Sequence, residues 1–405
     1  MIVSSVCVKK GAFEHTLNHY NYIKKIRGVV MSTFEVKVRK ITVSVHPDPE
    51  VSAIEVGMVD DYQTIVRKGQ FQTGDLVAYI PEASLLPTPL IEEMGLVGRL
   101  AGSEKNRVKA IKLRKVLSQG LCYPARESWV EGQDVAEELG ITKWVPVVPQ
   151  HLAGEVNRVK PRGVVTDDRG LFEAAFKFDI ENIKKYKDMF QEGEPVVITE
   201  KIHGTFSVLG FMPESMRHED MLKGIFFCSS KGLAAQGLFM KDNEKNASNL
   251  YVKTMKDPKL DLMNKLEALA ANLLLDFKRS EDEPVWLVGE VFGNGVQDLR
   301  YGLEGTSYRA FGVKVGDRWM HYDEFIRTAK EYDIPTVPIL YQGPFSKELV
   351  NNLTDGLTVE GMGCHVREGV VVCATKSEEN GGGRKILKSV SEKYLLRKGE
   401  QTEWE

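Results

Sequence analysis

The apolar run Pro195-Val196-Val197-Ile198-Thr199 stops at Glu200-Lys201-Ile202-His203-Gly204-Thr205. A run of that length reads as a buried strand, which puts a lysine at the strand's end ahead of a tight glycine turn. Further strands are expected over Val285 to Phe292, Tyr308 to Val315, Thr336 to Leu340, His365 to Thr375 and Lys385 to Val390. Leu262, Leu266, Leu269, Leu273 and Phe277 recur at helical spacing, so residues 260–278 predict an amphipathic helix packed on the core. Short strands with few helices predict an α+β domain of mainly antiparallel sheet.

The part of the chain before this reads differently. Phe34 to Val45 alternates as a strand, followed by Ala53 to Val59, Tyr62 to Arg67 after the Asp60-Asp61 turn, and Asp75 to Ile80 behind Thr73-Gly74. A Pro-rich helical excursion is expected over 87–100, then strands near Arg107 to Leu113 and Gly120 to Pro124. Short strands with one helix before the last pair fit a five-stranded barrel of the OB type. The fold class is therefore α+β in two domains. The expected boundaries are an extension over 1–30, the OB-type domain over 31–140, a connector over 141–176, and the second domain over 177–405. Met31 reads as the functional start, and Arg158, Lys160 and Arg162 as a basic cluster in the connector.

In Arg107-Val108-Lys109-Ala110-Ile111-Lys112-Leu113-Arg114 the alternation changes phase between Ala110 and Ile111. A β-bulge there would carry Arg107, Lys109, Lys112 and Arg114 onto one face. That stripe is either a surface for single-stranded nucleic acid or a solvated edge.

With 405 residues the chain exceeds one small core, and a net charge of -3 excludes a globally basic nucleic-acid coat. Any nucleic-acid surface must be a local patch. The five scattered cysteines form no Cys-x-x-Cys pair, which argues against a zinc site or a disulfide framework. No apolar stretch approaches the ~18 residues that span a bilayer. A cytoplasmic monomer without membrane contact is expected.

Chemistry collects at a few positions. Lysine is a weak nucleophile at its free pKa of ~10.4, and burial or nearby cations make it useful. Lys201 is either such a nucleophile or an ordinary strand-end lysine. Gly204 suits a close main-chain approach, and His203 suits a ribose hydroxyl or a plain turn. Lys231 in Ser229-Ser230-Lys231-Gly232 suits a phosphate contact or a solvated turn. Glu290 interrupts a buried run and needs a ribose, a lysine or a structural ion pair as partner. Phe311 belongs to the core or stacks on a purine. Glu368, after Arg367 and ahead of Gly369-Val370-Val371-Val372, suits Mg²⁺ or a surface ion pair with its neighbour. Lys385 and Lys388 follow the Gly-rich stretch Ser377 to Gly383, which reads as a hairpin loop.

In their order, Lys201-Ile202-His203-Gly204, Leu287 to Gly293, Arg309 to Lys314, Arg367 to Val372 and Arg384 to Lys388 resemble the motif set of the covalent nucleotidyltransferases. An OB unit ahead of the catalytic domain is similar to the family-five nick-sealing RNA ligases, as are Phe178 to Asn182 and Ser389 to Leu395. The resemblance implies an ATP-dependent RNA ligase using ATP and Mg²⁺ or Mn²⁺. It would join 3′-hydroxyl and 5′-phosphate RNA ends, in a nicked duplex, through a lysyl-AMP on Lys201. It also implies a nucleotide site of Glu200, Lys201, Ile202, His203, Gly204, Lys231, Glu290, Phe311, Glu368, Lys385 and Lys388, with Glu368 at the metal and RNA on the OB stripe. The alternatives are an mRNA capping guanylyltransferase, or an OB-type RNA-binding protein with an inactive second domain. One departure stands out: the family's last motif has lysines two apart, whereas Lys385 and Lys388 are three apart, on opposite faces of a strand.

Overall fold

The computed structural model describes residues 34–145, 156–159, 165–166, 176, 178–213, 224–235, 237–240, 243–276, 283–316, 318–375 and 384–397. Met31, Lys160, Arg162, Phe277 and Ser377 to Gly383 lie outside them.

The first unit is built on β1 (Lys37–Val45), β2 (Ile54–Val59), β3 (Tyr62–Arg67), β4 (Leu76–Ile80), β5 (Ser84–Leu85), α1 (Thr88–Glu93), β6 (Ile111–Leu113), β7 (Val116–Ser118) and β8 (Leu121–Pro124). Five of these strands form an antiparallel sheet in the order β3-β2-β1-β4-β8. β1 bends the sheet: Ile41 to Val45 pair with β2, and Lys37 to Lys40 pair with β4. The free edge curls back, with Gln119 N–H donating to the Gln63 carbonyl at 2.7 Å and Ile65 N–H donating to Ser118 Oγ at 2.9 Å. Val36, Val38, Ala78 and Ile80 fill one side, and Ile41, Val59, Val77 and Tyr79 fill the other. This is the expected OB-type arrangement. The helix is shorter than 87–100 predicts, because its last turn ends at Gly95, held at φ +67°.

The phase flip has a different origin from a bulge. Arg107 and Val108 bond to Ala101 and Ser84, which ends one pairing. The chain then starts a separate hairpin, β6–β7, whose turn at Arg114 and Lys115 has φ of 47° and 70°. Two short pairings replace one bulged strand.

β9 (Thr142–Lys143) returns to pair with β5. β10 (Val156–Val159) and β11 (Val165–Thr166) form a hairpin that pairs with β15 (Leu238–Met240) of the second domain. That domain holds two antiparallel sheets. One runs β19 (Ile339–Pro344), β12 (Pro195–Lys201), β20 (Gly369–Ala374), β21 (Ile386–Val390). The other runs β14 (Gly224–Ser230), β13 (Thr205–Pro213), β16 (Val285–Gly293), β17 (Thr306–Val315), β18 (Arg318–Trp319). The expected strand over Thr336 to Leu340 starts later, at Ile339, because Pro338 gives its carbonyl to Glu200 N–H from outside the ladder.

Helices α2 (Lys231–Ala234), α3 (Leu250–Met255), α4 (Leu262–Leu275), α5 (Tyr322–Glu331), α6 (Lys347–Thr354) and α7 (Glu392–Leu395) pack around these sheets. The helical stripe behaves as its spacing predicts: Leu262, Leu266, Leu269 and Leu273 are buried against Leu209, Leu287 and Val313. Each such leucine contributes about 2 kcal/mol of burial. Consecutive strands β12 and β13 belong to different sheets, so residues 202–204 carry the chain across the gap between them. Lys201 stands at that crossing.

Candidate active site

Between the two sheets lies a cleft lined by Lys201, His203, Lys231, Glu290, Phe311, Glu368, Arg384 and Lys388, among others. Strand register explains how they meet. Lys201 pairs with Gly369, which sets Glu368 beside it, and the Lys201 ammonium donates to Glu368 Oε1. Glu368 is buried to 2 % exposure. Burial alone would raise its carboxyl, but Lys201 and His203 outweigh it and hold the group below the usual carboxylate range. Arg367, on the opposite side of the chain, donates instead to the Leu353 and Leu357 carbonyls at 2.7 and 2.8 Å. The surface Arg367–Glu368 pair does not form.

Glu290 comes from the other sheet, opposite Phe206 on β13. Desolvation pushes its carboxyl up to about 8, against the pull of Lys201. Two carboxylates thus flank one ammonium, one ionised by its contacts and the other held towards its neutral form.

Phe311 reaches the cleft by a bulge. Val288 faces Gly312 and Gly289 faces Ala310, which leaves Phe311 as the extra residue of β17. Phe178 covers one face of its ring, stacked at 5.5 Å, and is itself stacked on Phe206 at 5.5 Å.

Lys231 opens α2 and binds Asp179 Oδ1 at 3.0 Å. Asp179 also meets Lys143 of the first unit at 3.4 Å. On β21 and in the two residues ahead of it, those facing the cleft are Arg384, Ile386 and Lys388. Lys385 points the other way and pairs with Glu194 at 2.7 Å, its ammonium 4.9 Å from the Phe190 ring. The position two before Lys388 is therefore Ile386, and the strand's alternation separates the two lysines as their spacing requires.

Glu200 lines the cleft, while its buried side chain accepts the N–H groups of Val359 and Glu360 at 2.8 and 3.0 Å. Ile202 packs against Phe292 and Tyr301. At Gly204 a Cβ would collide with the Val291 carbonyl oxygen, so glycine is required there by the crossing itself. His203 has both ring nitrogens engaged: Nε2 with Asp298 Oδ1 at 2.6 Å and Nδ1 with Tyr394 OH at 2.7 Å. A ribose contact would have to displace one of them.

On the first unit, Arg107 and Lys109 line a second cleft, between the two domains, with Trp144 at 4.4 Å from the Arg107 guanidinium. Lys112 and Arg114 sit on the exposed β6–β7 hairpin outside it. The four cations do not share one surface.

Sequence reasoning missed Arg384, Asp179, Asp298, Tyr301 and Tyr394. Arg384 was within reach, since it shares the parity of Lys388. Tyr394 lay within the Ser389 to Leu395 resemblance but without a role, and Asp298 carried no signal; they lie 191 and 95 residues from the histidine they hold.

Residues 194–390 match the RNA ligase family model, and residues 35–125 match an OB-fold domain model. Residues 194–390 form a domain of the RNA ligase family. This ligase domain follows an N-terminal OB-fold domain. The fold is similar to solved structures of an RNA ligase from Naegleria gruberi. A variant of that ligase with ATP and Mn is 21% identical with a TM-score of 0.63, covering 90% of this chain and 98% of that one. A second variant with AMP and Mn gives 21% and 0.64, covering 89% and 97%. The same ligase with PPi gives 21% and 0.63, covering 90% and 98%. Among curated proteins no relative matches. No helix among the described residues is long and apolar enough to cross a membrane.

Proposed function

We propose that this RNA ligase uses ATP to join RNA 3′-hydroxyl and 5′-phosphate ends at nicks, through a covalent lysyl-AMP on Lys201. The observation that carries this reading is the Lys201 ammonium bonded to Glu368 at a cleft that Glu290, Lys231, Phe311 and Lys388 also line. The Naegleria gruberi relative solved with ATP, AMP and PPi supports the same chemistry.

In the first step Lys201 Nζ, having lost its proton, attacks the α-phosphorus of ATP. A P–N bond forms, the α–β anhydride breaks and pyrophosphate leaves. Lys231 and Lys388 neutralise the charge of the phosphates. Phe311, covered on one face by Phe178, stacks on the base with the other. In the second step a 5′-phosphate oxygen of RNA attacks the same phosphorus, the P–N bond breaks and Lys201 recovers its electron pair. In the third, the RNA 3′-hydroxyl attacks the activated 5′-phosphate and AMP leaves.

The donor set fits a hard divalent cation, because Glu368 offers ionised carboxylate oxygen at the cleft. Such a cation, when bound, would supply charge neutralisation at the α-phosphate. Glu368 is the residue that would hold it. The OB-fold domain, through Arg107 and Lys109, positions the RNA backbone.

Labelling with α-phosphate-labelled ATP and GTP tests the reading. ATP alone is expected to mark the protein, Lys201→Ala is expected to abolish the mark, and Lys201→Arg should fail too because guanidinium stays protonated. Labelling by GTP instead would favour a capping guanylyltransferase. No labelling by either would leave an RNA-binding protein. Nicked RNA should then be sealed faster than nicked DNA.

A further inference from the structure

The turn that carries Lys201 is held from the far end of the described chain. His203, two residues on, is 3 % exposed. Its Nε2 donates to the Asp298 carboxylate, which can only accept, and its Nδ1 shares a hydrogen bond with the Tyr394 hydroxyl. Tyr394 is fully buried. Arg397 closes the ring. Its guanidinium donates to both Asp298 oxygens at 3.1 and 3.2 Å and lies 3.5 Å from the Tyr394 ring centre. Desolvation would raise the Asp298 carboxyl, but Arg397 and His203 hold it below its ordinary range.

The same segment reaches Glu368. Ser391 caps α7 by accepting from Tyr394 N–H at 3.2 Å, and its own N–H donates to the Glu368 carbonyl at 2.8 Å. Segment 391–397 is therefore bonded on both sides of the reacting lysine: to His203 in the turn that follows it, and to the backbone of Glu368, whose carboxylate holds it. His203 Nδ1 lies 3.7 Å from Glu368 Oε2, close enough to compete for that carboxylate if Tyr394 released it.

We infer that Tyr394 and Arg397 are positioning residues for the reaction of Lys201 with ATP. Segment 391–397 is a brace that must be seated for the lysine to be aimed, and the tyrosine fixes the His203 ring beside Glu368. This rests on the lysyl-AMP reading, and it assigns a task to residues that line neither cleft.

The test uses the full chain with Tyr394→Phe and, separately, Arg397→Ala. Two single-turnover rates are read: protein labelling at saturating ATP, and sealing of a nick whose 5′-phosphate is already adenylylated. The second needs no attack by Lys201. Labelling is expected to slow tenfold or more in both variants, with the ATP concentration for half-maximal rate changed less than threefold. Sealing of the pre-adenylylated nick should stay within threefold of wild type. Arg397→Lys, which keeps the charge and loses the fork, should fall between. Equal losses in the two assays would make the contact merely structural and overturn the inference, as would wild-type labelling in both variants. Should Tyr394→Phe fail to fold, Arg397→Ala decides alone. A wild-type protein that takes no label from ATP would sink the lysyl-AMP reading itself, which is a distinguishable result.

Discussion

Glu368 and Glu290 show how environment separates two like groups around one lysine. Glu368 has the ammonium as a hydrogen-bond partner, while Glu290 has mainly the cost of leaving water. Glu368→Ala is expected to slow labelling at least tenfold and to flatten its dependence on Mg²⁺ or Mn²⁺. A metal titration parallel to wild type would make Glu368 a purely structural partner of Lys201. Glu290 is visible in stability. Its folded carboxyl titrates at about 8, above the ordinary range near 4.5. Between those values the folded state holds a proton that the unfolded state has lost, so stability falls as pH rises through that window and levels off above it. Glu290→Gln should remove this slope in melting curves recorded from pH 5 to pH 9. An unchanged slope would mean another group titrates there.

At the scale of elements, parity and its interruption decide what reaches the cleft. Along β21 and the two residues ahead of it, alternation aims Arg384, Ile386 and Lys388 inward and sends Lys385 to Glu194. Lys388→Ala is therefore expected to lower the labelling rate by an order of magnitude or more. Lys385→Ala should leave labelling within threefold and cost no more than about 1 kcal/mol of stability, as for other partly exposed ion pairs. Equal effects on labelling would show that the strand shifts register when nucleotide binds. On β17 the bulge breaks the alternation at Phe311, and no residue type near it announces that break. The helix α4 needed no such correction, because a repeat of leucines at 3.6-residue spacing has one buried solution.

Across the whole molecule, the OB-fold domain meets the ligase domain through Asp179–Lys143, Lys184–Gln119 at 3.3 Å and Asp61–Lys187 at 3.1 Å. The cleft beside these contacts takes Arg107 and Lys109 from one domain and Lys388 from the other. Replacing Arg107 and Lys109 together with alanine should cut sealing of nicked RNA at least tenfold and leave labelling by ATP within threefold. Replacing Lys112 and Arg114 should mainly lower the salt dependence of RNA binding. If the hairpin pair proves the more damaging in sealing, RNA runs over the hairpin and not through the cleft.

Much of this was legible in the residues alone. Short apolar runs ending in charge fix an α+β arrangement, because buried strands must stop where a charge must stay near solvent or a partner. Lys201, Glu290 and Glu368 were each placed by such a break and Lys388 by its place in the motif order, and all four line one cleft. What the chain order could not decide was which far-off groups answer them. The brace on His203 joins residues 95 and 191 positions apart, and the four OB cations divide between a cleft and a hairpin where one surface was expected. Local periodicity reports which way a side chain points relative to its own backbone. Its partner across a gap depends on how the sheets pack, and only the tertiary structure sets that.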